Sequence, residues 1–286
     1  MLNINSRKVG AFRRAVWKYW KKNGRHALPW RKTKDAYKIL VSEIMLQQTQ
    51  VPRVIEKYKE FLKKFPTVRR LGKASLADVL KVWSGLGYNR RGKYLHDAAK
   101  IIVEKHGGKV PRDIALLRAL PGVGPYTASA IRVFAWNEPH LLIETNIRAA
   151  IIHQFYSNVL QNTAIADGEL MPLVESIAEK QDPRTWHWAL MDYGVHIKKL
   201  HKNPARRSSS YVHQSKFEGS LRQVRGAILR ELHTGSKPEQ KLYSLIRANK
   251  RIVQKALAGL TRDGLVAKEK GSARGGSALG RKWRIA

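Results

Sequence analysis

Two carboxylates in apolar surroundings and one pair of glycines are the residues here whose type and spacing can do chemistry. Glu43 interrupts the apolar segment Val41-Ser-Glu-Ile-Met-Leu46. A carboxyl group there is partly desolvated, which raises its pKa and favours the protonated form of a general acid. Glu144 closes a second apolar run, Leu141-Leu-Ile143. Gly122 and Gly124 flank one apolar residue in Leu120-Pro-Gly-Val-Gly-Pro-Tyr-Thr-Ala128, between the apolar runs Ile114–Leu120 and Ala128–Ala135. That spacing predicts a helix, a tight turn and a second helix. Glycine permits the positive φ and the close backbone approach such a turn needs. The second helix opens with free N–H groups and a positive dipole end, which suits a phosphate. A phosphate clamp followed by a carboxylate points to chemistry on DNA.

The charge balance points the same way. Against 55 Lys and Arg stand 21 Asp and Glu, a net charge of +34, the signature of a polyanion-binding chain. A merely basic, ribosomal-type protein has the same signature, but 43% hydrophobic residues and eight Trp are enough for a real core. With no cysteine, disulfides, thiolate metal sites and Cys nucleophiles are excluded. No apolar run approaches the ~20 residues of a membrane span. The basic start, Met1 to Arg14, lacks the apolar core of a signal peptide. The expectation is a monomeric, intracellular protein, cytoplasmic and nucleoid-associated. His187, His196 and His201 are scattered without carboxylates at ligand spacing, so they read as neutral or surface histidines and not as a metal site.

These residues need a helical frame, and the periodicity supplies one almost throughout the first two hundred residues. Helices are predicted at Val9–Lys22, Ala36–Gln47, Val54–Phe65, Ser75–Trp83 and Arg91–Lys105, with breaks at Leu28-Pro-Trp30, Pro66 and Gly85-Leu-Gly87. The hairpin pair follows, then a helix after Glu144 and two more near Ala166–Glu179 and Pro183–Lys199. Residues 201–216 turn polar and basic. From Phe217, three helices (Val224–Leu232, Pro238–Ile246 and Ile252–Thr261) precede Gly264–Lys270 and Arg281–Ile285, which read as a two-stranded hairpin with a Gly/Ser/Arg-rich tip. Three helices and a basic wing look like a winged helix, with Ala256–Val266 as recognition helix and first wing strand. Such a module binds DNA through the major groove, or else serves packing or dimerisation. The resulting division is 1–200, a linker or ordered loop at 201–216, and 217–286.

The hairpin Leu120–Ala128 with Glu144-Thr-Asn146 resembles the helix-hairpin-helix DNA glycosylases of the endonuclease III superfamily. Leu28-Pro-Trp-Arg31, Val41–Gln50 and Gly85-Leu-Gly-Tyr88 resemble its MutY branch, the adenine DNA glycosylases. The resemblance runs from about Leu28 to Gly194. It implies a mainly α, two-lobed helix-hairpin-helix glycosylase fold, here with a C-terminal winged-helix-like α/β module. Where the family carries four cysteines on an iron–sulfur cluster, this chain has Lys202-Asn-Pro-Ala-Arg-Arg-Ser208. No such cofactor is therefore expected.

The resemblance also implies roles. Releasing adenine requires an acid to protonate the leaving base and a carboxylate to stabilise the oxocarbenium-like sugar. Glu43 corresponds to the acid, and Glu144 to the aspartate facing the sugar. The extra methylene moves the carboxylate by ~1.5 Å unless the backbone compensates. Thr145 stands where the family has Gly, and Asn146 matches. Glu144 can alternatively serve only as a helix cap. Tyr126 occupies the position of the lysine that lets bifunctional members cut the strand by a Schiff base, so base removal without strand cleavage is implied. Gln48 and Tyr88 correspond to residues that invade the base stack, Leu86 to a wedge or a core residue, and Arg31 to the base-pocket rim. Gly122, Gly124 and Thr127 belong to the DNA-binding hairpin. The carbonyls of Arg118, Leu120 and Val123 can hold a monovalent cation against a phosphate. The implied partner is double-stranded DNA with adenine opposite 8-oxoguanine or guanine. A thymine or uracil glycosylase at G mismatches, and a lesion-binding protein without catalysis, are the alternatives.

Overall fold

The computed structural model describes residues 6–157, 163–214, 216–269 and 282–286. Its helices in chain order are α1 (Ser6–Asn23), α2 (Ala36–Leu46), α3 (Val51–Lys64), α4 (Val68–Gly72), α5 (Leu76–Trp83), α6 (Arg90–Lys105), α7 (Ile114–Arg118), α8 (Pro125–Trp136), α9 (Thr145–Phe155), α10 (Asp167–Ala178), α11 (Pro183–Leu200), α12 (Leu221–Leu232), α13 (Glu239–Leu245) and α14 (Lys250–Arg262). Three short strands, β1 (Lys237–Pro238), β2 (Val266–Lys268) and β3 (Lys282–Ile285), form one antiparallel sheet in the order β1-β3-β2. The fold is thus mainly α with one small sheet. The chain divides into two compact units, Met1–Leu40 with Val123–His213, and Val41–Gly122 with Gln214–Ala286.

In the first unit, α11 packs on α9 and α1. Phe12 of α1 meets Phe155 of α9 and Tyr193 of α11 edge-on, with ring centroids 5.4 and 5.8 Å away, a favoured aromatic geometry. Trp186 and Trp17 add a tilted pair. At the crossing of α11 and α9, Gly194 lies against the backbone of Asn146, where a Cβ would overlap the carbonyl. Only glycine allows that approach. The basic stretch after α11 is ordered: a 3₁₀ turn at Pro204–Arg207 packs on α9, with Ala205 and Ser208 buried. Ser208 forms an isolated parallel bridge with Ile165.

In the second unit, α3 buries Val54, Tyr58 and Phe61, the spacing of one helical face. Phe61 meets Trp83 of α5 edge-on at 6.0 Å. Gly92 of α6 lies under that indole ring, with no room for a Cβ. The C-terminal elements build a core of their own that α5 joins. Leu80 of α5 is buried among Val224, Ile228, Leu242, Val253, Leu257 and Trp283, with Leu76 packed against the same cluster.

Of the differences from the sequence reading, three have a local cause. Helix α4 is five residues long, too short to show a period, and is capped by the Thr67 side chain, which accepts from the Arg70 N–H. Helix α12 starts three residues before Val224 because Ser220 caps it, accepting from the Gln223 N–H. The wing is three-stranded and not two-stranded: β1 pairs Lys237 with Trp283 and Pro238 with Lys282. Two residues ending in proline give no strand signal, and proline is tolerated there because β1 is an edge strand. The tip at 270–281 lies outside the described residues.

Candidate active site

The first unit holds Glu144 at the N-cap of α9. Oε1 accepts the backbone N–H groups of Asn146 and Ile147, both at 2.9 Å, and Oε2 accepts the Asn146 side-chain amide at 3.0 Å. The Asn146 side-chain oxygen Oδ1 in turn accepts from Lys198 Nζ at 3.1 Å. Burial pushes the Glu144 carboxyl up, the two N–H groups and the charges of Lys198 and Arg148 pull it down, and the balance is upward. Glutamate therefore fills the cap and keeps its second oxygen on Asn146. Lys198 was not singled out in the sequence, where it is one of several basic residues near the end of a helix.

Tyr126 and Thr127 lie in the first turn of α8, Tyr126 half-buried and Thr127 buried. Gly124 is the N-cap of this helix, with φ −81°. It needs no positive φ; no atom lies within 4 Å of the position its Cβ would take, so it offers close approach. Arg31 is only 4% exposed at its side chain and forms a two-pronged pair with Asp192, at 2.8 and 2.9 Å. Arg25 adds its N–H and guanidinium to the same carboxylate. Burial opposes charge on Asp192, but the bonds and charges of Arg31 and Arg25 hold its carboxyl below the usual range. Asp192, 2% exposed, was missed because a lone acid in an amphipathic helix carries no signal of what it meets 161 residues away.

The second unit holds Glu43, buried on α2 between Ser42 and Ile44. Just past that helix, Gln48 has φ 55°, and Tyr88 in the following loop has φ 47°. Side chains rarely adopt that region, and such strain gathers at functional sites. Gly85 and Gly87 (φ 95° and 72°) flank Leu86, which is 3% exposed. Gly122 has φ 79°, and a Cβ there would meet Tyr94 at 2.9 Å. Its carbonyl accepts from Gln47 at 3.4 Å.

Arg91, also missed, braces this region. Its guanidinium donates to the carbonyls of Ile44 and Met45 at the end of α2, to those of Gln47, Leu86 and Gly87, and to the Thr49 hydroxyl. It lies over the Tyr88 ring, 5.4 Å from the centroid. A cation at the carbonyl end of a helix is favourable. Burial lowers its pKa to about 10, so it stays charged near neutrality. Its sequence signal is position: Arg91 shares the buried face of α6 with Leu95, Ala98 and Ile102.

Residues 41–186, more than half of the chain, match the HhH-GPD superfamily of base excision DNA repair proteins. The chain belongs to that superfamily. One relative, an adenine DNA glycosylase of Buchnera aphidicola subsp. Baizongia pistaciae, is 36% identical over 186 residues, 65% of this chain and 52% of that protein. The chain thus spans about half the length of the curated relatives it matches. A thermostable thymine-DNA glycosylase has the same fold, with a TM-score of 0.57 and 28% identity over 66% of this chain and 86% of that one. An endonuclease III in complex with DNA shares the fold with a TM-score of 0.56 at 15% identity, covering 71% of this chain and 98% of that one.

This HhH-GPD chain contains no cysteine, so a cysteine-ligated cluster has no ligands in it. After α11, the turn at Pro204–Arg207 is secured by protein contacts: Arg207 donates to the Tyr156 carbonyl at 2.9 Å, and Ser210 to Asp167, which also pairs with Arg148. No group of three or more His, Asp or Glu placed to hold a metal occurs among the described residues. No helix there is long and apolar enough to cross a membrane.

Proposed function

We propose that this chain is a monofunctional DNA glycosylase of base excision repair that releases adenine mispaired with 8-oxoguanine or guanine. The carrying observation is the Glu144–Asn146 constellation in a chain 36% identical over 186 residues to an adenine DNA glycosylase. Glu43 protonates the leaving base, for which a buried carboxyl group is suited. Glu144, in its ionised form, stabilises the sugar cation, and Asn146 orients it. Tyr126, lacking an amine, leaves the strand uncut.

Double-stranded DNA is the partner, met in the cytoplasm at the nucleoid. Gly122, Gly124 and Thr127 present the hairpin to a phosphate. The carbonyls of Arg118, Leu120 and Val123 accept no backbone hydrogen bond among the described residues, which suits a monovalent cation there. Gln48 and Tyr88 enter the stack when the base is flipped. Leu86 can wedge only by leaving its buried position, a motion Gly85 and Gly87 would permit. Arg31 stiffens the rim of the base pocket through Asp192. The winged-helix-like module adds basic residues against the DNA backbone.

The 28%-identical thymine-DNA glycosylase favours a second reading, thymine or uracil release at G mismatches. Single-turnover base release from A:8-oxoguanine, A:G, T:G and U:G duplexes separates them. Adenine release that disappears in Glu43→Gln, with mismatch binding kept within about tenfold, supports the first. Release only from T:G or U:G supports the second, and release from none leaves a binding protein.

A further inference from the structure

The second unit contains a cavity of about 360 Å³, between the loop carrying Tyr88 and the start of α12. Its size is that of a small-ligand site. Gln48 and Tyr88, both at positive φ, lie in its wall, with Phe217, Arg222, Arg53 and Arg230. Phe217 is 56% exposed, a large apolar ring left in water among basic and amide side chains. Exposed aromatics interleaved with cations are how proteins bind unpaired bases, by stacking and by charge on the backbone.

Arg222 now occupies the space against these rings. Its guanidinium lies 5.1 Å from the Tyr88 centroid and 5.5 Å from that of Phe217. It donates to the Tyr88 hydroxyl at 2.5 Å, and Gln214 donates to the same oxygen. A planar cation over two aromatic rings stands where a planar base would stack. Arg91, the other cation over Tyr88, is buried and bonded to the carbonyls of α2 and of the Tyr88 loop. Arg222 is half-buried where Arg91 is buried, so of the two it is the one placed to move.

We propose that this cavity receives one unstacked nucleotide of duplex DNA. The base lies against Phe217 and Tyr88 after Arg222 swings aside, and the phosphate is met by Arg53 and Arg230. The proposal rests on the DNA-repair reading only in taking DNA as the ligand. It gives the C-terminal segment a task in lesion recognition beyond general attraction to the backbone.

The test is equilibrium binding of the full chain, at one salt concentration, to a duplex with a single unpaired purine and to its fully paired counterpart. The unpaired duplex should bind about tenfold more tightly, and Phe217→Ala should bring the two within about twofold of each other. Phe217→Trp, which keeps a stacking face, should retain the preference. Because Phe217 is exposed, its replacement leaves the core untouched. No preference in the unsubstituted protein, or a preference that survives Phe217→Ala, overturns the site. Absence of base release alongside an intact, Phe217-dependent preference would count against the glycosylase reading and leave the site standing.

Discussion

Gly194 and Asn146 are in backbone contact where α11 crosses α9: the Asn146 carbonyl fills the space in which any other residue would carry its Cβ. The same asparagine hands its amide to Glu144 and accepts from Lys198. One glycine therefore sets the height at which the proposed sugar-facing carboxylate is held. Gly194→Ala should shift α9 by more than catalysis tolerates, since errors near 1 Å can cost about a hundredfold. It should also destabilise the protein by about 1–3 kcal/mol, the usual cost of overpacking. Thermal unfolding and single-turnover base release measured together check this; a fully active, equally stable variant contradicts the packing argument.

Lys198 faces Glu144 through Asn146, and its charge favours the ionised carboxylate. Burial already holds the Glu144 pKa above its ordinary value. If the ionised form is the active one, base release should climb with pH on an acid limb above the usual carboxylate range. Removing the cation raises that pKa further, so Lys198→Met should move the limb to higher pH. The variant should be slow at neutral pH and recover toward the unsubstituted rate as pH rises. A uniform loss at every pH would mean that Lys198 acts by packing. Glu144→Gln should abolish release; if most activity remains, Glu144 is only the cap of α9. Glu144→Asp should be slower as well, because the shorter side chain withdraws the carboxylate by ~1.5 Å.

What the sequence made legible follows physical range. Helices with a sustained apolar face, such as α3 and α14, and the hairpin glycines could be read because their signals are local. The positive φ of Gly122 followed from its place in the turn; the ordinary φ of Gly124 did not, since glycine is equally suited to close approach. Asp192 and Arg91 were invisible because their meaning lies in partners distant along the chain. Arg222 was invisible for the same reason: Tyr88, whose hydroxyl it binds, lies 134 residues before it. Thr67 was readable in principle as a cap, but a cap without a long periodic helix behind it is a weak signal.

His187 is buried in α11 of the first unit. Its Nδ1 is 2.7 Å from the Pro183 carbonyl and its Nε2 accepts the Leu142 N–H. That arrangement requires the neutral ring, and burial lowers its pKa to about 4. Between that value and the ordinary 6.5, the unfolded chain binds a proton that the folded chain does not. The stabilisation is therefore complete above about pH 6.5 and is lost as pH falls toward 4, at a slope of up to about 1.4 kcal/mol per pH unit. Urea unfolding at pH 7, 6 and 5 should show this decline, and His187→Gln, though less stable at pH 7, should show a flatter one. An unchanged slope in the variant would assign the decline to other groups.

The shared core of the second unit gives the last prediction. Leu80 of α5 is 2% exposed because α12, α14 and the sheet cover it, and Leu76 packs against the same cluster. Deleting residues 217–286 therefore does more than remove positive charge. It uncovers the apolar side of α5, and each large side chain moved from core to water costs about 1.5–3 kcal/mol. The truncated chain should unfold at a lower temperature, and Leu76→Lys with Leu80→Glu should restore its solubility without restoring DNA affinity. In the full chain, Leu80→Ala should cost about 2–5 kcal/mol, as for other buried leucines. If truncation instead leaves the melting temperature unchanged, the C-terminal elements stand apart from α5 in solution. The loss of affinity in the truncated chain could then be read directly as lost phosphate contacts, each lowering the slope of log K against log salt by about one.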